Sequence, residues 1–257
     1  MMKVAILQME GTNCEEESFI AFKEVGFKPE YLHINLLTPG KLEEYDVLFI
    51  PGGFSSGDYV RAGAIFAARL KARVWNDIKR FVDDGKPVMG VCNGFQVLIE
   101  LGLLPGTDGI SEVPQAALAV NESNRFECRW VYLRKVRDTI FTKNTADMIT
   151  LPVAHAEGRF IADRKTIETM EEQGQVVFRY VAPDGSKPEY PWNPNGSVND
   201  IAAIVNSYGN VFGIMPHPER AFFWYQHPDW TRNPRDEGDG RSIFTSLFKE
   251  VIEAKNR

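Results

Sequence analysis

The sequence predicts an α/β fold in which a doubly wound, mostly parallel β-sheet is flanked by helices, with additional antiparallel strands in the second half. In the first half, short apolar runs alternate with longer segments of helical pattern, which is the order that parallel crossovers require. In the second half, the connections between apolar runs are shorter. The 257 residues, 44% hydrophobic and 25% charged, are typical of a globular protein with a sizeable core. We expect one domain over residues 1–257.

The elements of the first half follow from this pattern. Strands are predicted at residues 3–9, 28–33, 47–50 and 88–91. Helices are predicted at residues 14–25, 64–83 and 95–101, and the first of them should stop at Gly26.

The second half contains five further apolar runs and a closing helix. Strands are predicted at residues 126–136, 148–153, 176–181, 201–205 and 211–215, and the helix at residues 242–254. Residues 184–200 are polar and rich in Pro, Gly and Asn, which predicts a surface loop.

Charge and cysteine content exclude several classes of protein. A net charge of −6 argues against nucleic acid as a partner. The three cysteines, at positions 14, 92 and 128, form neither a disulfide framework nor a paired zinc motif. The first apolar run is interrupted by Glu10 and is too short for a signal peptide or a membrane span. We therefore expect a cytoplasmic protein that does not act at a membrane.

The most informative segment surrounds Cys92. An apolar run ends at Gly90-Val91, a helical pattern opens after Asn93, and glycines stand two residues before and two residues after the cysteine. This spacing is that of a nucleophile elbow, a strained strand-to-helix turn that exposes one side chain above a sheet. A helix N-terminus beneath the sulfur favours the thiolate, so Cys92 is the candidate nucleophile.

His217 is the candidate general base. Prolines on both sides of it bias the chain toward an extended conformation, in which residues i and i+2 share a side. Glu219 would then reach the imidazole and orient it, as the third member of a triad does. The alternative is a histidine in a surface turn.

An oxyanion hole is predicted from two backbone segments. One donor is the N–H of Asn93, directly after the nucleophile, and the other lies near Gly52-Gly53, directly after the third strand. The alternative is that the two glycines only make a tight turn.

These residues resemble a known family. The run from Gly90 to Gln96 resembles the G-x-C-x-G-x-Q signature of class I, or triad-type, glutamine amidotransferases, whose fold is flavodoxin-like. Further segments are similar to those of the glutaminase subunits of phosphoribosylformylglycinamidine synthases; they are residues 11–14, 57–64, 125–130, 193–197 and 215–220. The chain departs from that pattern at Ser56 and in the longer stretch 222–237.

The resemblance implies an activity. Cys92 would attack the side-chain amide of glutamine, His217 would protonate the departing ammonia and then activate water, and Glu219 would orient His217. Gln96 would hold the substrate or the loop around it, and the N–H groups near Gly53 and Asn93 would bind the oxyanion.

The resemblance also implies partners. Ammonia would pass to a large synthetase subunit that makes phosphoribosylformylglycinamidine from formylglycinamide ribonucleotide in purine biosynthesis, and a small accessory subunit would bridge the two. Because this chain has no G-x-x-x-x-G-K-[ST] loop, ATP and magnesium are expected on the synthetase, with no cofactor or metal bound here. Activity of the isolated chain should be low and rise in the complex.

Two other functions remain open from the residues alone: a cysteine hydrolase or peptidase on the same fold, and a catalytically silent regulatory module. Cys14 and Cys128 are interpreted as small buried side chains. His155 either shapes the pocket or is structural, and His33 and His227 are interpreted as ordinary histidines. The aromatic residues 222–225, with Trp230, are either a docking surface or core.

Overall fold

The computed structural model describes residues 2–256, and their largest feature is a nine-stranded mixed sheet. Its strands run in the order β2-β1-β3-β4-β11-β10-β9-β6-β7, and β5 and β8 form a separate two-stranded sheet. The strands are β1 (Lys3–Gln8), β2 (Lys28–His33), β3 (Val47–Ile50), β4 (Val88–Val91), β5 (Ala116–Ala119), β6 (Glu127–Lys135), β7 (Met148–His155), β8 (Arg159–Ala162), β9 (Val176–Val181), β10 (Ile201–Val205) and β11 (Val211–Ile214).

Half of the large sheet is parallel and half is antiparallel. The strands β2, β1, β3, β4 and β11 pair in parallel, whereas β11, β10, β9, β6 and β7 pair in antiparallel fashion. The predicted fold class is therefore confirmed. The strands β3 and β4 are buried at every position, as expected for parallel strands covered on both faces.

The helices are α1 (Glu15–Val25), α2 (Ala64–Asp83), α3 (Asn93–Glu100), α4 (Arg164–Glu172) and α5 (Arg241–Lys255). Helix α1 ends at Gly26 in the left-handed conformation (φ 110°), as its sequence predicts. None of the helices within residues 2–256 is both long and apolar enough to cross a membrane.

Two β-strands and one α-helix were not predicted. Strand β5 consists of Ala-Ala-Leu-Ala, residues with little preference for strands, and β8 has only four residues. Helix α4 is mostly polar and buries only Ile167 and Met170, so its apolar stripe is weak. Its one clear signal is Asp163, whose carboxylate accepts the N–H of Thr166 as an N-cap.

The segment 184–200 is a loop with a short 3-10 helix at its end, but the prediction that it lies at the surface is wrong for part of it. Asn195 and Ser197 are buried, and the Asn195 side chain donates to the Tyr180 hydroxyl at 3.2 Å. The loop folds back because its polar side chains find buried partners, which composition alone does not indicate.

Candidate active site

Cys92 lies in a strained turn between β4 and α3. Its backbone angles are φ 50° and ψ −108°, outside the regions that side chains ordinarily favour. A Cβ at Gly90 would lie 2.6 Å from the carbonyl group of Gly94, and one at Gly94 would collide with the carbonyl oxygen of Ile50. Both glycines are thus required by close backbone packing, which is the geometry of a nucleophile elbow.

His217 and Glu219 form a buried pair. Nδ1 of His217 lies 2.5 Å from Oε1 of Glu219, and the backbone N–H of His217 donates to the carbonyl of Pro152 at 2.8 Å. The predicted contact is present, but the predicted route to it is wrong. Residues Pro218–Ala221 form a 3-10 helix, so the turn of that helix brings Glu219 to the imidazole, not an extended chain.

The charge state of His217 follows from its neighbours. Burial lowers the pKa of its imidazole, but the negative charges of Glu219 and Cys92 outweigh burial and raise it well above 6.5. Nε2 of His217 has no hydrogen-bond partner within residues 2–256. The ring is therefore held from one side by Glu219 and has its other nitrogen free for a reacting group.

Gly52 makes room for this arrangement. A Cβ on Gly52 would lie 2.8 Å from Cε1 of His217, 3.0 Å from Sγ of Cys14 and 3.4 Å from Cβ of Cys92. Cys92 and His217 thus face the same glycine, although they are 125 residues apart in the sequence.

Of the residues predicted to form an oxyanion hole, Gly53 lines the cavity that contains Cys92 and His217, whereas Gly52 and Asn93 are not among its lining residues. Gly53 has φ 143° and pairs with Thr12, and a Cβ there would lie 2.6 Å from the carbonyl oxygen of Gly11. Asn93 is the first residue of α3, so its N–H is among those with no partner inside the helix.

Gln96 connects the elbow to a neighbouring loop. Its side-chain oxygen accepts from Nδ2 of Asn93 at 2.8 Å, and its Nε2 donates to the carbonyl of Glu157 at 2.5 Å. The Asn93 side-chain oxygen in turn accepts the N–H of Ser55 at 3.2 Å. These bonds fix two loops around the cavity.

The cavity itself has a volume of about 580 Å³, large enough for an amino acid. It brings together the predicted residues Cys92, His217, Gly53 and Gln96. Asp58 also lines the cavity; the segment 58–63 follows the third strand and is predicted from the sequence to lie at the mouth of the site or at a partner contact. Further lining residues that the sequence analysis did not place in a site are Asn13, Cys14, Phe54, Phe126, Ala154, Ala156, Glu157 and Arg220.

Cys14 is buried, as predicted, and lies beside the His217–Glu219 pair. Its Sγ lies 3.9 Å from Nδ1 of His217 and accepts from Nη2 of Arg220 at 3.1 Å. Burial raises the pKa of the Cys14 thiol above its usual value. Cys128 is exposed on β6, so the prediction that it is buried is wrong.

His155 lines the cavity from the end of β7. It is buried, and its Nδ1 lies 3.1 Å from Oδ1 of Asn121. Burial, with the positive charge of His217, lowers the pKa of His155 to about 3, so the ring is neutral. Both open interpretations have support, since His155 touches the cavity and also anchors the loop at Asn121.

The remaining residues singled out from the sequence lie elsewhere. His227 pairs with Asp229 and packs against Trp130, and His33 is half-buried at the end of β2. Among the aromatic residues 222–230, Phe222 is core whereas Tyr225 and Trp230 are exposed.

In the part of the chain that the structure describes, one cluster of side chains has the donor atoms to coordinate a metal ion. Ligand atoms of Cys14, His217 and Glu219 lie within 4.8 Å of one another. Nδ1 of His217 already contacts Glu219, so the geometry serves a hydrogen-bonded pair.

Comparison with known proteins agrees with this geometry. The model of the CobB/CobQ-like glutamine amidotransferase domain matches residues 1–251. The chain is 49% identical to the phosphoribosylformylglycinamidine synthase subunit PurQ of Picrophilus torridus, over 97% of this chain and 98% of that one. It is 47% identical to the PurQ subunit of Archaeoglobus fulgidus, over 96% of each chain. A chain in the structure of PurLQS from Thermotoga maritima superposes with a TM-score of 0.75 at 33% identity, covering 97% of this chain and 99% of that one.

Proposed function

The chain belongs to the CobB/CobQ-like glutamine amidotransferase family, and from this we propose that it is the glutaminase subunit of a phosphoribosylformylglycinamidine synthase. It hydrolyses glutamine to glutamate and ammonia, and the ammonia serves an ATP-dependent synthetase subunit in purine biosynthesis. The observation that carries this proposal is that Cys92, in a strained elbow, shares one cavity with the buried His217–Glu219 pair.

We assign the first half-reaction to the thiolate of Cys92. The thiolate forms a bond to the side-chain amide carbon of glutamine, and the N–H groups near Gly53 and Asn93 bind the resulting oxyanion. The imidazolium of His217, which the charges of Glu219 and Cys92 favour, gives its proton to the amide nitrogen. The C–N bond then breaks, ammonia leaves, and a γ-glutamyl thioester remains on Cys92.

The second half-reaction regenerates the enzyme. His217, now neutral, takes a proton from water as the water attacks the thioester carbon. The C–S bond breaks, glutamate leaves, and the Cys92 thiolate again faces the His217 imidazolium. Glu219 keeps the ring in one orientation through both half-reactions because its carboxylate is bonded to Nδ1.

Glutamine hydrolysis tests the assignment directly. The chain is incubated with glutamine, and glutamate and ammonia are measured. Cys92→Ser should abolish both products, and Cys128→Ser is the matched control because Cys128 is exposed and outside the cavity. Equal rates for Cys92→Ser and the unmodified chain would contradict the nucleophile assignment.

The partner dependence needs a second experiment. We expect slow hydrolysis by the isolated chain and faster hydrolysis after addition of the synthetase and accessory subunits, formylglycinamide ribonucleotide and Mg-ATP. Nitrogen from amide-labelled glutamine should appear in the amidine product. Full activity of the isolated chain would contradict the coupling.

We place ATP and magnesium on the synthetase subunit, so equilibrium dialysis of Mg-ATP against the isolated chain should show no saturable binding. We place the chain in the cytoplasm, where a reducing environment keeps the Cys92 thiol active. Cell fractionation tests that location.

A further inference from the structure

We propose that Asp58, with Glu157 beside it, binds the α-ammonium group of glutamine and so makes the site specific for an amino acid over a simple amide. This inference rests on the proposed function and deepens it, because it names the residue that recognises the substrate head group.

The position of Asp58 is the first reason. Asp58 lines the same cavity as Cys92 and His217. Its Oδ1 accepts from Nδ2 of Asn93 at 3.5 Å, and Asn93 directly follows the nucleophile. Asp58 therefore contacts the residue that follows the candidate nucleophile and lines the same cavity.

The charges around Asp58 are the second reason. Glu157 lines the same cavity, and its Oε2 accepts the N–H of Ala62 at 3.2 Å. Within residues 2–256, neither Asp58 nor Glu157 forms a salt bridge. The nearby guanidinium groups are engaged elsewhere, since Arg61 pairs with Glu100 and Arg220 pairs with Glu17.

The pKa of Asp58 reflects its burial and its negatively charged neighbour. Burial, together with the negative charge of Glu157, raises the pKa of Asp58 to about 6. Because Asp58 and Glu157 line the same cavity and neither forms a salt bridge within residues 2–256, the electrostatic potential beside Asp58 is negative. A bound ammonium group would neutralise it.

An independent observation points to a ligand in the same cavity. His217 is 1% exposed, yet its Nε2 has no hydrogen-bond partner among the described residues. The cavity thus offers an unpartnered imidazole nitrogen beside the nucleophile and an uncompensated carboxylate near Asn93. Glutamine carries the matching groups, an amide to react at the first and an ammonium to bind at the second.

The backbone conformation of Asp58 is compatible with substitution by asparagine. Its φ is 54°, in the left-handed region where Asp and Asn are both favoured. Asp58→Asn therefore removes the charge while the loop keeps its conformation. Asp200 has φ 56° and lies outside the cavity, so Asp200→Asn is the matched control.

The experiment compares two substrates in the complex with the synthetase and accessory subunits. Glutaramate is glutamine without its α-amino group, and hydrolysis of both amides is measured by ammonia release. The unmodified chain should prefer glutamine strongly. Asp58→Asn should lower kcat/KM for glutamine by about 10- to 100-fold, the factor that a hydrogen bond to a charged group is typically worth, and leave the value for glutaramate nearly unchanged.

Each result has one meaning. Loss of the preference in Asp58→Asn, but not in Asp200→Asn, supports the ammonium assignment. Equal losses for both substrates, or an unchanged preference, overturn it while the proposed function stands. No hydrolysis of glutamine by the unmodified complex overturns the proposed function itself. If Asp58→Asn does not fold, the pH dependence of the unmodified complex tests the proposal. Below pH 6, kcat/KM for glutamine should fall relative to kcat/KM for glutaramate.

Discussion

The carboxylate of Glu219 lies 2.5 Å from Nδ1 of His217, and both residues are 1% exposed. A buried carboxylate at this distance stabilises the imidazolium and fixes the orientation of the ring, so that Nε2 faces the cavity. Glu219 therefore sets both the charge and the orientation of His217, the proposed general acid.

Glu219→Gln tests this role. The amide keeps the size of the side chain but removes its charge, so the pKa of His217 should fall and the imidazolium should be lost at lower pH. We expect kcat to drop by about 10²- to 10⁴-fold, as when the orienting carboxylate of other triads is neutralised, and the alkaline limb of kcat/KM to move to lower pH. The pH profile of ammonia release measures both effects.

The control for this variant is Glu253→Gln, at an exposed position on α5. It should keep the unmodified rate and profile. A Glu219→Gln chain with an unchanged alkaline limb would show that Glu219 does not set the charge of His217.

The parallel half of the fold was predictable because of how it is buried. Strands β3 and β4 are covered on both faces and appear in the sequence as continuous apolar runs, so their bounds were predicted to the residue. Helix α4 was missed because only two of its residues are buried and its polar residues give no strong stripe. Its N-cap at Asp163 is a local signal, but an N-cap alone does not distinguish a helix from a turn.

The candidate site was predictable where its signal is local. The glycines around Cys92 and the prolines around His217 mark their turns in the sequence. Glu157 and Cys14 have no such mark, because loops after different strands bring them to the cavity. Glu219 was identified through a wrong conformation, since a 3-10 helix and an extended chain both bring residue i+2 near a histidine here.

Gly52→Ala should damage the site without unfolding the chain. The new Cβ would lie 2.8 Å from the His217 ring and 3.0 Å from Sγ of Cys14, and both side chains would have to move. Because a displacement of about 1 Å can cost about 10²-fold in rate, kcat should fall at least tenfold. Rate and thermal midpoint are measured together.

Alanine substitutions at two other glycines serve as comparisons for Gly52→Ala. Gly94→Ala should prevent stable folding, because its Cβ would collide with backbone at Ile50. At Gly85 nothing lies within 4 Å, so Gly85→Ala should cost only the strain of its positive φ, about 1 kcal/mol, with the rate unchanged. A Gly52→Ala chain as active as Gly85→Ala would contradict the close packing of His217 against Gly52.

His155 should make the fold sensitive to acid. Its pKa is lowered to about 3 in the folded chain, first by burial and then by the charge of His217, whereas an unfolded histidine titrates near 6.5. The unfolded chain therefore binds a proton first as pH falls. The stability that the neutral ring provides is complete above about pH 6.5 and is lost progressively toward pH 3.

Urea unfolding at pH 7 and at pH 5 measures this effect. The free energy of unfolding should decrease between these pH values in the unmodified chain and decrease less in His155→Gln. His33→Gln is the control, because His33 lies at the end of β2, away from the cavity. Equal decreases in the unmodified chain and His155→Gln would show that another group carries the acid sensitivity.

Protonation of Asp58 should weaken glutamine binding as the pH falls. Only its carboxylate form attracts an ammonium group, and burial beside Glu157 raises its pKa to about 6. Asn93, which also contacts Asp58, does not titrate, so the pKa of Asp58 is raised by burial and by the charge of Glu157. KM for glutamine should therefore rise as pH falls from 7.5 to 5, while KM for glutaramate stays level.

In Asp58→Asn, KM for glutamine should be high at every pH, because no carboxylate remains to be protonated. A rise of the same size in both chains would assign the pH dependence to a different group and separate it from Asp58.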